Sequence, residues 1–176
     1  MRITTKGRYA LRAITNLALA AEATPGKPKA IKNIAAEEEI SPEFLEQIFF
    51  KMKKAGIIES IRGPGGGFTL TKNPGDVNVK DIFLAVDEGL DLTPCTTCGE
   101  ATCAKVDTCL VHDVWREASE HINRFFESMS LKKIMENSRS SSMARATRRR
   151  RRALTTTIGS VSRSRSSRTT AAIFRS

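Results

Sequence analysis

The chain has 176 residues, 40% hydrophobic and 27% charged, with a formal net charge of +10; this suits one ordinary core with appendages and excludes a fully disordered chain. The basicity is not general, because residues 138–176 hold 11 arginines and no acid while the remaining body is slightly acidic, so high overall charge is weak evidence for a nucleic-acid partner. No apolar run approaches the roughly 18 residues that cross a bilayer, and MRITTKGRYA lacks the order of a secretory signal, so a cytoplasmic protein with no membrane partner is expected.

Within the body, residues 1–75 carry 12 basic and 7 acidic side chains, whereas residues 76–137 carry 6 and 12. A basic N-terminal half joined to an acidic one fits a nucleic-acid-facing module followed by a sensing or dimerising one, and also fits a merely solvated imbalance. From Tyr9 onward, Ala10, Ala13, Ile14, Leu17, Ala18 and Ala21 repeat at helical spacing until TPGKP at 24–28 stops them. A second, short helix is expected over about 30–38 with Ile31, Ile34 and Ala35 inward. Ser41 then caps a third, with Pro42 at its first position, Glu43 near its positive end and Gly56 beyond its last turn. Two helices joined by so short a link make a helix-turn-helix. In the third helix Leu45, Ile48, Phe49 and Met52 form the core stripe, and Phe44, Gln47, Lys51 and Lys54 share another face. That second face suits base edges and phosphates, unless Phe44 is partly buried.

Two strands follow, Ile57 to Ile61 and Phe68 to Leu70, around the glycine-rich tip Arg62-Gly-Pro-Gly-Gly-Gly67. This reads as a wing. Gly65 and Gly66 allow close backbone approach to a phosphate or groove wall, and Arg62 can enter a narrow minor groove. A nucleotide phosphate loop fits poorly, since no Lys-Ser/Thr pair follows and the loop leads into a strand. A fourth helix is expected over about 79–88 with Val79, Ile82, Phe83 and Val86 buried. Val111, Trp115, Ala118, Ile122, Phe125 and Met129 then form a heptad-like seam on a long helix near 110–129. Such a seam packs on the chain's own helices or, the preferred reading, pairs two copies into a homodimer. Ser130 caps a further short helix, Leu131 to Met135. Past Asn137 the chain turns to Ser, Arg and Thr and holds no core, as a basic disordered arm or an extension foreign to the fold.

Between the fourth and fifth helices stand Cys95, Cys98, Cys103 and Cys109, followed by His112. In a reducing compartment, four cysteines within fifteen positions point to a metal or redox centre in preference to disulfides. Their spacing, Cys-x2-Cys-x4-Cys-x5-Cys-x2-His, has one close pair where zinc usually has two, so it suits an iron-sulfur cluster better without excluding zinc. His112 either completes the site or is a helix-end histidine. An enzyme lacks support: there are two histidines, no nucleophile-base pair stands out and no cofactor fingerprint is visible. The alternative function is a cysteine-based redox or zinc-binding carrier without sequence-specific DNA binding.

The motifs MRITTKGRYAL, SPEFLEQIFFKMKKAGII, SIRGPGGGFTL, AVDEG and CAKVDTCLVHDVW, spread over residues 1–137, are together specific. The chain resembles the IscR/NsrR-type winged helix-turn-helix iron-sulfur transcription regulators. The resemblance implies a mainly α fold with a small β-hairpin wing: a DNA-binding domain over 1–90, a cysteine loop over 91–112 and a dimerisation helix with a short terminal helix over 110–137. It implies a homodimeric regulator, a repressor or an activator, that binds a double-stranded operator according to cluster state. By the same resemblance Phe44, Glu46 and Gln47 face bases, Arg62 is the wing arginine and Ser41 stands at the helix entrance. Cys103, Cys109 and His112 match the last three cluster ligands. The first is contested between Cys98 and Cys95, so both a 2Fe-2S and a 4Fe-4S cluster stay open. The tail, 138–176, has no counterpart in the family pattern.

Overall fold

The computed structural model describes residues 3–96, 105 and 108–140, of which those up to Met135 belong to one compact unit. Helix α1 (Thr5–Ala23) starts where the Thr4 hydroxyl accepts the Gly7 amide at 3.4 Å. Ala10, Ala13, Ile14, Leu17 and Ala18 form one buried stripe, the small side chains letting neighbouring elements approach closely. Helix α2 (Ile31–Glu38) buries Ile34 and Ala35, and Glu39 ends it in the left-handed region at φ 56°. That turn redirects the chain into α3 (Pro42–Lys54). Ser41 Oγ accepts the Phe44 amide at 3.3 Å, Pro42 opens the helix, and Glu43 at its start with Lys51, Lys53 and Lys54 at its end complement the helix dipole. Leu45, Ile48, Phe49 and Met52 are all fully buried, as their spacing demands.

Strands β1 (Ile58–Ile61) and β2 (Gly67–Leu70) pair antiparallel, Ile58 opposite Leu70 and Ile61 opposite Gly67. The hairpin is tied to the body at its root. Lys29 donates its amide to the Phe68 carbonyl and accepts the Phe68 amide, both at 2.9 Å, while the Phe68 ring meets Phe49 edge-on at 4.9 Å. Gly67 makes this junction possible: a Cβ there would stand 2.4 Å from the Lys29 carbonyl oxygen, inside van der Waals contact with backbone. Gly67→Ala is therefore expected to prise the wing from the α1–α2 connection and cost about 2 kcal/mol. Hydrogen exchange of the Lys29 and Phe68 amides checks this. Unchanged protection at both would show that the backbone yields without loss.

Helix α4 (Val79–Ala85) is closed at its start by a reciprocal Asn78–Asp81 capping box. It ends three residues before the expected boundary. Val86 leaves helical geometry and Asp87 turns left-handed at φ 53°, which reverses the chain. A short 3-10 turn, Pro94–Thr96, precedes the cysteine loop, and α5 (His112–Ser128) follows it. After α5 the chain returns beside Asn78, where the Val79 amide donates to the Met129 carbonyl and the Leu131 amide to the Val77 carbonyl, both at 2.9 Å. Ser130 Oγ accepts the Lys133 amide at 3.3 Å and α6 runs over 131–140, longer than its pattern suggested. Leu131 and Met135 are buried with the side chains of α1 to α3. The disordered arm was expected from residue 138, but 138–140 continue the helix; the rest of it lies outside the described residues.

Candidate nucleic-acid interface and cysteine loop

Because α3 buries one stripe, the opposite side faces solvent with Glu43, Glu46, Gln47 and Phe50. Ser41 is exposed at the entrance of the helix. Phe44, expected on the open face, is half-buried, its ring meeting Tyr9 edge-on at 6.0 Å. Lys53 Nζ donates to Ser60 Oγ at 2.6 Å and so joins α3 to the first wing strand. Arg62 is exposed at the base of the wing tip and has no ion-pair partner among the described residues. The tip is a tight turn in which Pro64 and Gly65 are central: the Gly66 amide donates to the Gly63 carbonyl at 2.9 Å and Gly65 has φ 78°. The glycines thus meet an internal demand. At Gly66 a Cβ would fall 2.3 Å from the Ile61 carbonyl oxygen, whereas around Gly65 there is open space.

The corner after α4 contacts both α3 and the start of α1. Asp87 pairs with Lys51 of α3, and that ammonium holds the Asp87 carboxyl below its ordinary range, with Lys6 and Lys54 adding smaller attraction. Lys51, expected on phosphate, is thus engaged with an exposed carboxylate in the free protein. Such an exposed pair is worth little. Glu88 is 3% exposed and receives the Thr4 amide at 2.7 Å and the Thr4 hydroxyl at 2.6 Å, placing a carboxylate at the positive end of α1. Gly7 leaves the room, since a Cβ there would be 2.7 Å from Glu88 Oε2.

From this corner the chain runs to the cysteines under a second anchor. Buried Ser119 of α5 accepts the Leu92 amide at 3.3 Å and donates to Thr96 Oγ1 at 3.2 Å, and Thr96 in turn donates to the Thr93 carbonyl. Cys95 and Cys109 are free and half-buried, with Cys95 Sγ 3.2 Å from Thr93 Oγ1. The His112 amide donates to the Cys109 carbonyl at 3.2 Å, so this histidine opens α5 directly beside a cysteine. Its Nδ1 is buried with no hydrogen-bond partner among the described residues. Cys98 and Cys103 lie outside the described residues, and among those described no three ligand-type side chains gather. Along α5, Phe126 meets Phe83 edge-on at 5.2 Å and Met129 joins the same small core. Val111, Val114, Trp115 and Phe125 face outward.

Residues 3–137 match the family model for Rrf2, described as an iron-dependent transcriptional regulator. The chain belongs to the Rrf2 family. The HTH-type transcriptional regulator IscR of Citrobacter koseri is 39% identical to it over 137 residues, spanning 78% of this chain and 81% of that protein. The IscR of Salmonella newport is also 39% identical, over 78% and 80%. Among solved structures, IscR of T. potens superposes with a TM-score of 0.61 at 25% identity, over 78% of this chain and 88% of that one. CymR of B. subtilis, the global cysteine regulator, shares the fold with a TM-score of 0.63 at 23% identity, over 78% and 98%.

As an Rrf2 member the chain is a winged helix-turn-helix transcription regulator, and the relatives bear the names of regulators, not enzymes. No helix among the described residues is long and apolar enough to cross a membrane. The side chains that sequence reasoning passed over are Thr4, Gly7, Glu88 and Ser119. Two motifs signalled the first three, MRITTKGRYAL and AVDEG, but nothing along the chain says that residues 84 apart meet. Phe50 was also missed, although its place three residues after Gln47 and four after Glu46 puts it on their stripe.

Proposed function

We propose that this Rrf2 protein is a homodimeric repressor whose operator binding is set by an iron-sulfur cluster held by Cys103, Cys109, His112 and one of Cys95 or Cys98. The observation that carries the cluster reading is His112: a buried ring nitrogen without a partner is costly, and ligation would satisfy it. Half-buried thiols at Cys95 and Cys109, neither in a disulfide among the described residues, agree with that chemistry. The outward Val111, Val114, Trp115 and Phe125 support pairing of α5 with a second copy. Double-stranded DNA is read by Glu46 and Gln47 with Arg62 in the minor groove, while Ser41, Phe44, Lys51, Gly65 and Gly66 position them.

A bound cluster supplies electron exchange and sensitivity to oxidants. The chain's own residues transmit the consequence. Thr96 and Leu92 hold the root of the cysteine loop to Ser119, and the same root continues into Glu88 on α1 and Asp87 on α3. Fixing of the loop by a cluster therefore bears on α3, which carries the base-reading residues, and on α1 packed beside it.

Anaerobic reconstitution tests the assignment by visible absorption with iron and zinc analysis. Iron in the wild type is expected, with His112→Ala holding about half as much or less and showing an altered spectrum. Zinc in place of iron, or an unchanged spectrum in the variant, would sink the ligand set. Cys95→Ala and Cys98→Ala identify the contested position. Holo and apo protein are expected to differ about ten-fold or more in affinity for an operator selected from random duplexes, at fixed salt.

A further inference from the structure

One side chain on the open face of α3 has no part in polar recognition. Phe50 is 69% exposed. Its ring borders two shallow hollows, one shared with Glu43, Glu46, Gln47 and Lys51, the other reaching Lys53, Ser60 and Phe68 at the foot of the wing. A phenyl ring offers water no hydrogen bond, so solvent exposure is unfavourable until a partner covers it.

The position of the ring identifies the partner. Residues 43, 46, 47 and 50 follow the i, i+3, i+4, i+7 spacing of one helical stripe, opposite the buried stripe of Leu45, Ile48, Phe49 and Met52. A homeodomain helix lying in the major groove reads bases with that same spacing. Phe50 stands about 4.5 Å further along the axis than Gln47, a little over one base-pair step. Lys51 lines one hollow beside it and Lys53 the other, which favours a polyanion over an apolar protein surface. Glutamate and glutamine address amino and carbonyl groups on base edges. A phenyl ring cannot, and the apolar group that the major groove presents is the C5 methyl of thymine.

We propose that Phe50 is a specificity-determining residue that packs on thymine methyl groups about one base pair beyond the pair read by Gln47. The proposal rests on the operator-reading function above and adds to it a preference for thymine that Glu46 and Gln47 do not supply.

The test uses the full chain, purified anaerobically with and without cluster reconstitution, and an operator selected from a random duplex pool. Each thymine of the selected site is replaced in turn by deoxyuridine, which removes only the methyl, and binding is measured by fluorescence anisotropy at fixed salt. For wild type, one or two thymines in each half-site are expected to show about four-fold weaker binding as uracil. Phe50→Ala should bind the thymine operator about as weakly as wild type binds the uracil one, and lose the discrimination. Phe50→Leu should keep most of it, and Gln47→Ala should keep it at those positions. The exposed site makes equal melting temperatures the expected folding control. Indifference of wild type to every uracil, or discrimination that persists in Phe50→Ala, overturns the proposal and leaves operator reading intact. Loss of self-association in Phe50→Ala with an unchanged uracil response assigns the ring to a protein contact and overturns it as well. Selection of no sequence by either form overturns operator reading, and this proposal with it.

Discussion

Alanine at both Gln47 and Arg62 is expected to weaken binding of a selected operator about a hundred-fold or more at fixed salt, without disturbing the fold. Gln47 is exposed on the outer stripe of α3 and Arg62 at the wing, so neither contributes to the core. Each good base or minor-groove contact carries about 1–3 kcal/mol, and two contacts on separate elements add approximately. The two losses differ in kind. Removal of Arg62 should also lower the salt dependence of binding by about one counterion, whereas removal of Gln47 should relax base preference and leave the salt slope alone. Electrophoretic or anisotropy titrations at three salt concentrations separate them. Wild-type affinity in the double variant would remove these residues from recognition and favour a cysteine-loop protein that does not read DNA sequence.

Glu88→Ala is expected to lower the stability of the domain by about 3 kcal/mol. Two short hydrogen bonds to a carboxylate disappear, the Thr4 amide loses its acceptor, and a small void opens beside Gly7. Against a typical stability of about 5–15 kcal/mol this is a large fraction, and thermal unfolding followed by circular dichroism should show a drop of about 10 °C. Glu88→Gln keeps the shape and one acceptor and should lose roughly half as much. Gly7→Ala reaches the same contact from the other side, pushing a Cβ into the carboxylate. A melting temperature unchanged in Glu88→Ala would mean that α1 begins equally well without this anchor, and the route from the cysteine loop to α1 would go with it.

Much of the winged module was legible along the chain because its information is local. The Ser41 cap, Pro42, the stripe from Leu45 to Met52, Gly56 and the turn residues of the wing act within a few positions of themselves. Helix periodicity and turn chemistry therefore placed those elements nearly where they stand. The cysteines, with His112 behind them, stood out along the chain as candidate ligands because thiolates are soft donors and four fall within fifteen positions. The long apolar seam of α5 was legible as a surface needing cover, yet its division was not: Met129 turns to Phe83 and Leu90 beside Phe126, which lay outside the seam, while Trp115 and Phe125 stay outward.

By itself the sequence determined the order of the helices, the wing, the buried stripe of α3 and the crowding of cysteines before α5. Only the tertiary structure decided what joins them. It carried Glu88 across 84 residues to the start of α1, paired Asp87 with Lys51, and set the Phe68 backbone against Lys29. It also turned Phe44 onto Tyr9 and left Phe50 in solvent. The physical reason is the range of the forces involved. Caps, turns and periodic stripes act over one or two helical turns and leave a mark in neighbouring residues. A buried carboxylate satisfied from a distant helix, or a glycine that must be bare because the Lys29 carbonyl of the α1–α2 connection lies 2.4 Å from its missing Cβ, leaves none until the chain has packed.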